Sequence, residues 1–279
     1  MRLSVIIVNW NTSDLLRLCL QSLETYHPSV DYEVIVIDNA SDDFDLEEFA
    51  LCFPHVCFIR NDLNIGYAAA NNQGIVRAGG EYILLLNPDT QVTGGALDSL
   101  VNFMDRHPDA AACGAKLLRP NGRVELSIRG FPYPLALVFE ILGLPRIFPK
   151  SRSIGRYRMR WFSYDSEAEV DQPMGSCLIL RRKAVDEIGL LDESFPIFFN
   201  EVDWLYRAKI KGWKVYFTPE AVVIHEGGAA TSRANRRAMI RESHKSLIRF
   251  YNKHFRQRIP QPLYWLIVVL IRLSAFFRR

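Results

Sequence analysis

Asn87-Pro88-Asp89 closes an apolar run, Tyr82–Leu86, and opens a turn-rich stretch. A strand ending this way delivers a carboxylate to the open edge of a sheet, where α/β proteins bind ligands. Asp38 ends an earlier apolar run, Glu33–Asp38, in the same manner. Two acids at two strand ends suit a nucleotide and a divalent cation held side by side. Asp89 is a hard-oxygen ligand. Mg²⁺ or Mn²⁺ on a diphosphate needs only one or two protein carboxylates, because the phosphates supply the rest. Asp38 can accept hydrogen bonds from ribose hydroxyls or a base N–H. The sequence Asp38-Asn39-Ala40-Ser41 is also good turn and cap chemistry.

Three further groups could take part. Glu201 and Asp203 follow an aromatic stretch, Phe195–Phe199, and open an expected helix, Val202–Lys211. Either carboxylate can take a hydroxyl proton as a bond forms, and either can cap the helix and favour its dipole. His225 follows Val222-Val223-Ile224 and precedes Glu226-Gly227-Gly228. It can complete a metal's coordination, hold a phosphate or serve the structure alone. Asn64-Ile65-Gly66-Tyr67 leads into a small-residue helix containing Asn71 and Asn72. The N–H groups at its start can approach a ligand or a neighbouring strand. After the first strand the chain reads Asn9-Trp10-Asn11-Thr12 rather than GxGxxG, which argues against a dinucleotide site.

The elements that must position these residues alternate in type. Leu3–Val8, Glu33–Asp38, Val56–Ile59 and Tyr82–Leu86 read as strands. A helix capped at Thr12 or Ser13 runs to about Tyr26, a short acidic one follows Ser41 and Asp42, and Gly66–Ala78 forms a third. The expected class is α/β, with a mixed, mostly parallel central sheet flanked by helices. Later, Ser176–Leu180, Val215–Phe217 and Ala221–His225 read as strands and Arg182–Ile188 as a helix. Residues 119–172 are irregular, with five prolines and six basic residues from Arg146 to Arg160. They read as an insertion over the active face or as a solvated loop.

Composition sets outer bounds. At 49% apolar over 279 residues, a sizeable core forms and global disorder is excluded. Five scattered cysteines without metal spacing fit reduced thiols in a cytosolic protein. The N-terminal apolar run is too short for a signal peptide. The net charge of +3 conceals an asymmetry: from Arg233 onward there are 12 basic residues and one acid, while the preceding body carries 22 against 30. A basic tail on an acidic body suits an anionic surface, and charge alone admits phospholipid or nucleic acid.

Taken in order, the motifs resemble those of the family 2 glycosyltransferases, in particular the bacterial rhamnosyltransferase-like branch. The matching stretches are Val8–Asn11, Ile37–Asp42, Asn64–Tyr67 with Asn71-Asn72, Leu86–Asp89, Gly175–Leu178, Phe198–Asp203 and His225–Gly228. The resemblance implies a GT-A fold over residues 1–232 and an inverting transfer from a nucleotide-sugar, dTDP- or UDP-linked, with Mn²⁺ or Mg²⁺. It implies dTDP-L-rhamnose as the favoured donor and a glycan or polyprenyl-linked acceptor in cell-surface polysaccharide synthesis. It places Asn9, Asn11, Asp38, Asn64, Gly66, Asn71 and Asn87 at the donor nucleotide, with Asp38 on the base, and Asp89 and His225 at the metal. Asn87 stands where the motif usually has its first acid. Glu201 stands where the family usually has an Asp, so the base is Glu201 or, failing it, Asp203. No nucleic-acid partner is expected.

The tail, residues 233–279, comes last. Asn235–Phe255 reads as an amphipathic helix with Arg237, Arg241, Lys245, Arg249 and Lys253 recurring every fourth residue. Leu263–Phe277 is apolar apart from Arg272 and Ser274 and is shorter than the ~20 residues a bilayer requires. It suits an interfacial helix with Tyr264 and Trp265 at headgroup level, peripheral on the inner face of the cell membrane. The alternative is a helix packed on the catalytic body or in a homodimer. Two other functions compete: a nucleotidyltransferase, which usually needs a Gly-rich phosphate loop, and a non-catalytic membrane or nucleic-acid adaptor.

Overall fold

The computed structural model describes residues 1–227 and 236–277. The first half alternates β1 (Leu3–Asn9), α1 (Ser13–Thr25), β2 (Tyr32–Asp38), α2 (Leu46–Cys52), β3 (Val56–Arg60), α3 (Tyr67–Arg77) and β4 (Tyr82–Leu86). Then come β5 (Thr90–Val92), α4 (Ala96–Arg106), β6 (Ala110–Leu118), β7 (Ile128–Arg129), α5 (Pro134–Ile141), α6 (Leu144–Ile147), β8 (Ala168–Glu169) and β9 (Gln172–Pro173). The chain continues through β10 (Cys177–Arg181), α7 (Arg182–Ile188), α8 (Asn200–Ile210), β11 (Lys214–His225), α9 (Arg236–His254) and α10 (Gln261–Phe277).

Among the described residues the central sheet runs β3-β2-β1-β4-β10-β6-β11-β5, with β8 on the side of β11. β10 is antiparallel to both β4 and β6, and β5 is antiparallel to β11. The other strands on this path run one way, so the sheet is mixed and mostly parallel. This is the GT-A arrangement. Side chains alternate across each strand. Ile6, Ile35, Ile37, Ile83 and Leu85 therefore enter one core layer, and Val5, Ile7, Val34, Val36, Leu84 and Leu86 enter the other. Strands covered on both faces read as near-continuous apolar runs, which is why they were visible in the sequence. α3 lies close over β1 and β2 because its residues are small. A Cβ on Gly74 would come within 2.6 Å of Ile6 Cγ2.

The short acidic helix expected after Ser41 and Asp42 is α2, which begins at Leu46, is capped by Asp45 accepting from the Glu48 N–H, and carries Glu47 and Glu48 in its first turn. Two readings change. The two short strands expected at 215–217 and 221–225 are one strand, β11, with a register shift between Thr218 and Val222. The segment β5–α4–β6 was not anticipated. Its longest strand opens Ala110-Ala111-Ala112-Cys113-Gly114, residues of poor strand propensity that are all fully buried.

The tail packs on the body. Phe250, Tyr251, Ile267 and Ile271 are fully buried in the same layer as Ile6 and Ile83. The Tyr251 hydroxyl donates to the Pro132 carbonyl at 2.6 Å. Asn235, Gly228 and the expected boundary at 232–233 lie outside the described residues. Because the core is shared, Phe250→Ala should cost about 3–5 kcal/mol and lower one cooperative transition. Urea unfolding followed by both circular dichroism and tryptophan fluorescence checks this. Two separated transitions, only one of them shifted, would contradict it.

Candidate active site

A cavity of about 660 Å³ opens where β1 and β4 end and β10 begins, within the usual range for ligand pockets. Asn87 and Asp89 form part of its wall. The Asn87 side chain accepts from the Tyr67 hydroxyl at 2.9 Å and donates to Ser176 Oγ at 3.3 Å. It therefore ties the end of β4 to α3 and to the start of β10. Asp89 is buried, and its carboxylate lies 3.4 Å from His225 Nε2. The other nitrogen, His225 Nδ1, hydrogen-bonds Glu125 at 2.7 Å, and Arg119 pairs with Glu125. Burial alone would depress the pKa of His225. The hydrogen bonds and charges of Asp89 and Glu125 outweigh it and push the value up to about 9.

A carboxylate oxygen and an imidazole nitrogen converging in this way suit a divalent cation that displaces the proton Asp89 and Glu125 otherwise hold on His225. Among the described residues no group of three or more His, Cys, Asp or Glu side chains is arranged to hold a metal. A cation here would draw its remaining ligands from phosphate and water.

Glu201 reaches the same cavity from the first turn of α8. Phe199 precedes that helix in a left-handed conformation, φ 71°, and turns the chain sharply into it. Gly175 leaves room for the carboxylate, since a Cβ there would lie 3.3 Å from Glu201 Cγ. Burial raises the pKa of Glu201, and the nearby Arg129 partly offsets the rise.

Asp203 lies two residues further on, and two positions on a helix turn the side chain to another face. It is 0% exposed and does not line the cavity. It accepts from Arg207 Nε at 2.8 Å, lies 2.7 Å from His254 Nε2 and pairs with Lys253 at 2.8 Å. Burial works against its charge, but His254 and Lys253 prevail and its pKa is lowered. The expectation that Asp203 stands in for the base is corrected: it clamps α9 to α8.

Of the residues expected at the donor, Asn64, Gly66 and Asn87 line the cavity, while Asn9, Asn11, Asp38 and Asn71 do not. Asp38 is 1% exposed. It accepts from Asn9 Nδ2 at 2.9 Å and from the Ser41 N–H at 3.1 Å. The Asn11 side chain accepts from the Asp42 N–H, and Asn71 donates to the Tyr67 carbonyl one turn back. These residues shape loops that present Trp10, Thr12 and Asn39 to the cavity. The N–H groups of Tyr67 and Ala68 both donate to the Pro196 carbonyl, so that start of α3 faces the chain itself.

Sequence reasoning missed Glu125, Arg129 and Gln172. Arg129 and Gln172 lie opposite each other in the two-stranded ribbon of β7 and β9, and both line the cavity. Strands of two residues leave no periodic signal to find.

The model of Glycosyl transferase family 2 matches residues 4–189. The N-acetylglucosaminyl-diphospho-decaprenol L-rhamnosyltransferase of Mycobacterium tuberculosis is 29% identical over 224 residues, covering 76% of this chain and 71% of that protein. The O-antigen biosynthesis protein RfbC of Myxococcus xanthus is 30% identical over 244 residues, 82% of this chain and 18% of that protein. Among solved structures, the mannosyltransferase PcManGT from Pyrobaculum calidifontis, in complex with GDP-Man and Mn²⁺, superposes with TM-score 0.63 at 16% identity. It spans 98% of this chain and 70% of its own. GalNAc-T7 with UDP, GalNAc and Mn²⁺ gives TM-score 0.60 at 18% identity, covering 99% of this chain and 54% of that one. Both share the fold.

Asp203→Asn should lower stability by about 1–3 kcal/mol at pH 7, because it removes the buried charge that accepts from Arg207 and pairs with Lys253. The depressed pKa means that this contribution is present above the unfolded carboxylate value, about 3.9, and is lost as pH falls through the folded one. Denaturant midpoints of wild type and variant should therefore converge on acidification below pH ~4. A gap that stays constant would contradict the clamp.

Proposed function

Since the chain belongs to glycosyl transferase family 2, we propose that it is an inverting enzyme of cell-surface polysaccharide synthesis that moves L-rhamnose from dTDP-L-rhamnose to a glycan or polyprenyl-linked acceptor. The rhamnosyltransferase relative supports this sugar and this acceptor class. The observation that carries the reading is one strand-end cavity holding Asp89 and His225 together with Glu201. Asp89 and His225 would hold Mn²⁺ or Mg²⁺, which when bound supplies positive charge to the leaving diphosphate. Trp10, Thr12, Asn39 and Asn64 offer one aromatic face and several hydrogen-bonding groups to the nucleoside. The acceptor oxygen forms its bond to the anomeric carbon as the bond to the diphosphate breaks. Glu201 takes the hydroxyl proton. A single displacement inverts the anomeric centre.

The base must be ionised to act. Because burial raises the pKa of Glu201, kcat should fall on acidification from above the ordinary glutamate range, about 4.3. Glu201→Gln should lose roughly 10²–10⁴-fold in kcat while retaining nucleotide affinity. The check is a nucleotide-sugar panel with Mn²⁺ or Mg²⁺, scored for donor hydrolysis and transfer. A chain that neither binds nor turns over any nucleotide-sugar would end the transferase reading.

We place the enzyme peripherally on the cytoplasmic membrane face. Among the described residues no helix is long and apolar enough to cross a membrane. The outer face of α10 nevertheless exposes Trp265, Leu266, Val269 and Leu273. The insertion adds exposed Leu142, Ile147 and Phe148 beside basic Arg146 and Lys150. Exposed apolar side chains together with basic ones fit an anionic bilayer. Trp265→Glu with Val269→Glu should abolish co-sedimentation with anionic liposomes. Undiminished co-sedimentation would remove the membrane from the proposal.

A further inference from the structure

A second cavity, of about 200 Å³, lies beside the first. Arg129, Gln172, Phe198 and Glu201 line both, so Glu201 stands on their common boundary. The other walls of the second cavity are contributed by α5, by Tyr157 and Arg158, and by the tail helices α9 and α10. From α9 come Ser243, His244 and Leu247. The C-terminal helices thus complete a compartment that opens onto the same carboxylate as the strand-end site.

The lining has a definite chemical character. Gln172 is 8% exposed, and its Oε1 has no hydrogen-bond partner. A buried carbonyl oxygen left unpaired costs free energy that an incoming donor recovers. Arg129, opposite Gln172 in the β7–β9 register, brings N–H donors. His244 Nδ1 lies 2.7 Å from the Ile240 carbonyl, so its N–H is committed there, and in the neutral ring Nε2 is left as an acceptor. Charge is balanced in place: Arg158 pairs with Glu140, and Arg129 stands near Glu201. Leu137, Ile141, Phe198 and Leu247 supply apolar faces. Mixed donors and acceptors, little uncompensated charge and flat apolar walls suit a neutral polyol ring better than a phosphate.

We infer that the second cavity binds the acceptor sugar, and that His244 and Ser243 of the tail help to decide which sugar is accepted. The inference rests on the transferase reading. A hydroxyl entering from this side meets Glu201 at the shared wall and gives up its proton there. Its oxygen bonds to the anomeric carbon presented from the first cavity, and the nucleoside diphosphate departs with the electron pair.

The test uses the full chain, the donor selected by hydrolysis and a panel of octyl glycosides as acceptors. His244→Ala removes the acceptor nitrogen, and Ser243→Phe fills the cavity. Each should raise acceptor KM at least tenfold while donor KM moves less than twofold. His244→Gln, which restores a side-chain acceptor, should recover part of the loss. A general folding defect would instead move donor and acceptor parameters together. Unmoved acceptor KM, equal movement of both KM values, or no transfer to any glycoside despite donor hydrolysis would overturn this inference alone. Absence of all donor turnover would overturn the transferase reading and this inference with it.

Discussion

The ion cluster around Asp203 is the interaction on which the arrangement turns. A fully buried carboxylate shared by Arg207, Lys253 and His254 joins α8 to the end of α9. Such clusters add little net stability over well-packed apolar groups, yet they are costly to break from one side, because a buried charge loses its partners. That asymmetry favours one docking of the tail over its alternatives. The same short helix carries Glu201 two residues earlier. One turn of α8 therefore aims one acid at the cavity and another at the tail. A displacement of α9 is felt at the cavity through the backbone that both acids share, and through the α9 residues in the second cavity's wall.

A comparable division of labour runs along the strand ends. Asn9, Asp38 and Ser41 bond to one another, and in doing so fix the two loops that carry Trp10 and Asn39. Glu125 fixes His225, which in turn meets Asp89. Several of the residues that face the cavity are thus held by others that do not. Burying polar groups at sheet ends is tolerable only when they are satisfied, and most of the side chains here satisfy each other. Second-tier residues of this kind orient a ligand set as surely as the ligands define it.

This explains what was legible in the sequence. Strands β1, β2 and β4 were readable because burial on both faces forces unbroken apolar runs. Asp89, Glu201 and His225 were readable because each ends or begins a regular element. Which polar residues at those ends line the cavity was not readable. Asn9 and Asp38 look no different in sequence from Asn39 and Asn64. The distinction arises from the sheet, which sets β1 Asn9 directly beside β2 Asp38. Glu125, Arg129 and Gln172 were hidden for a different reason. They sit in a proline-rich segment whose only strands are two residues long, and their positions follow from the strands and helices packed around them.

The tail shows how two opposed readings of one sequence can both describe real surface. A helix apolar around its whole circumference is ordinarily enclosed by protein or lipid. In α10, Tyr264, Ile267, Val268 and Ile271 fall on one side and are enclosed by the protein, against α5 and α9. Trp265, Leu266, Val269 and Leu273 fall on the other and remain 48–53% exposed. Packing on the body therefore accounts for half of the apolar pattern and leaves the other half without a neighbour. Exposed apolar side chains gathered on one helical face mark a contact surface in a way that scattered ones do not. A docked α10 would also place the second cavity, whose wall it shares through Ser274, close to the plane of that contact.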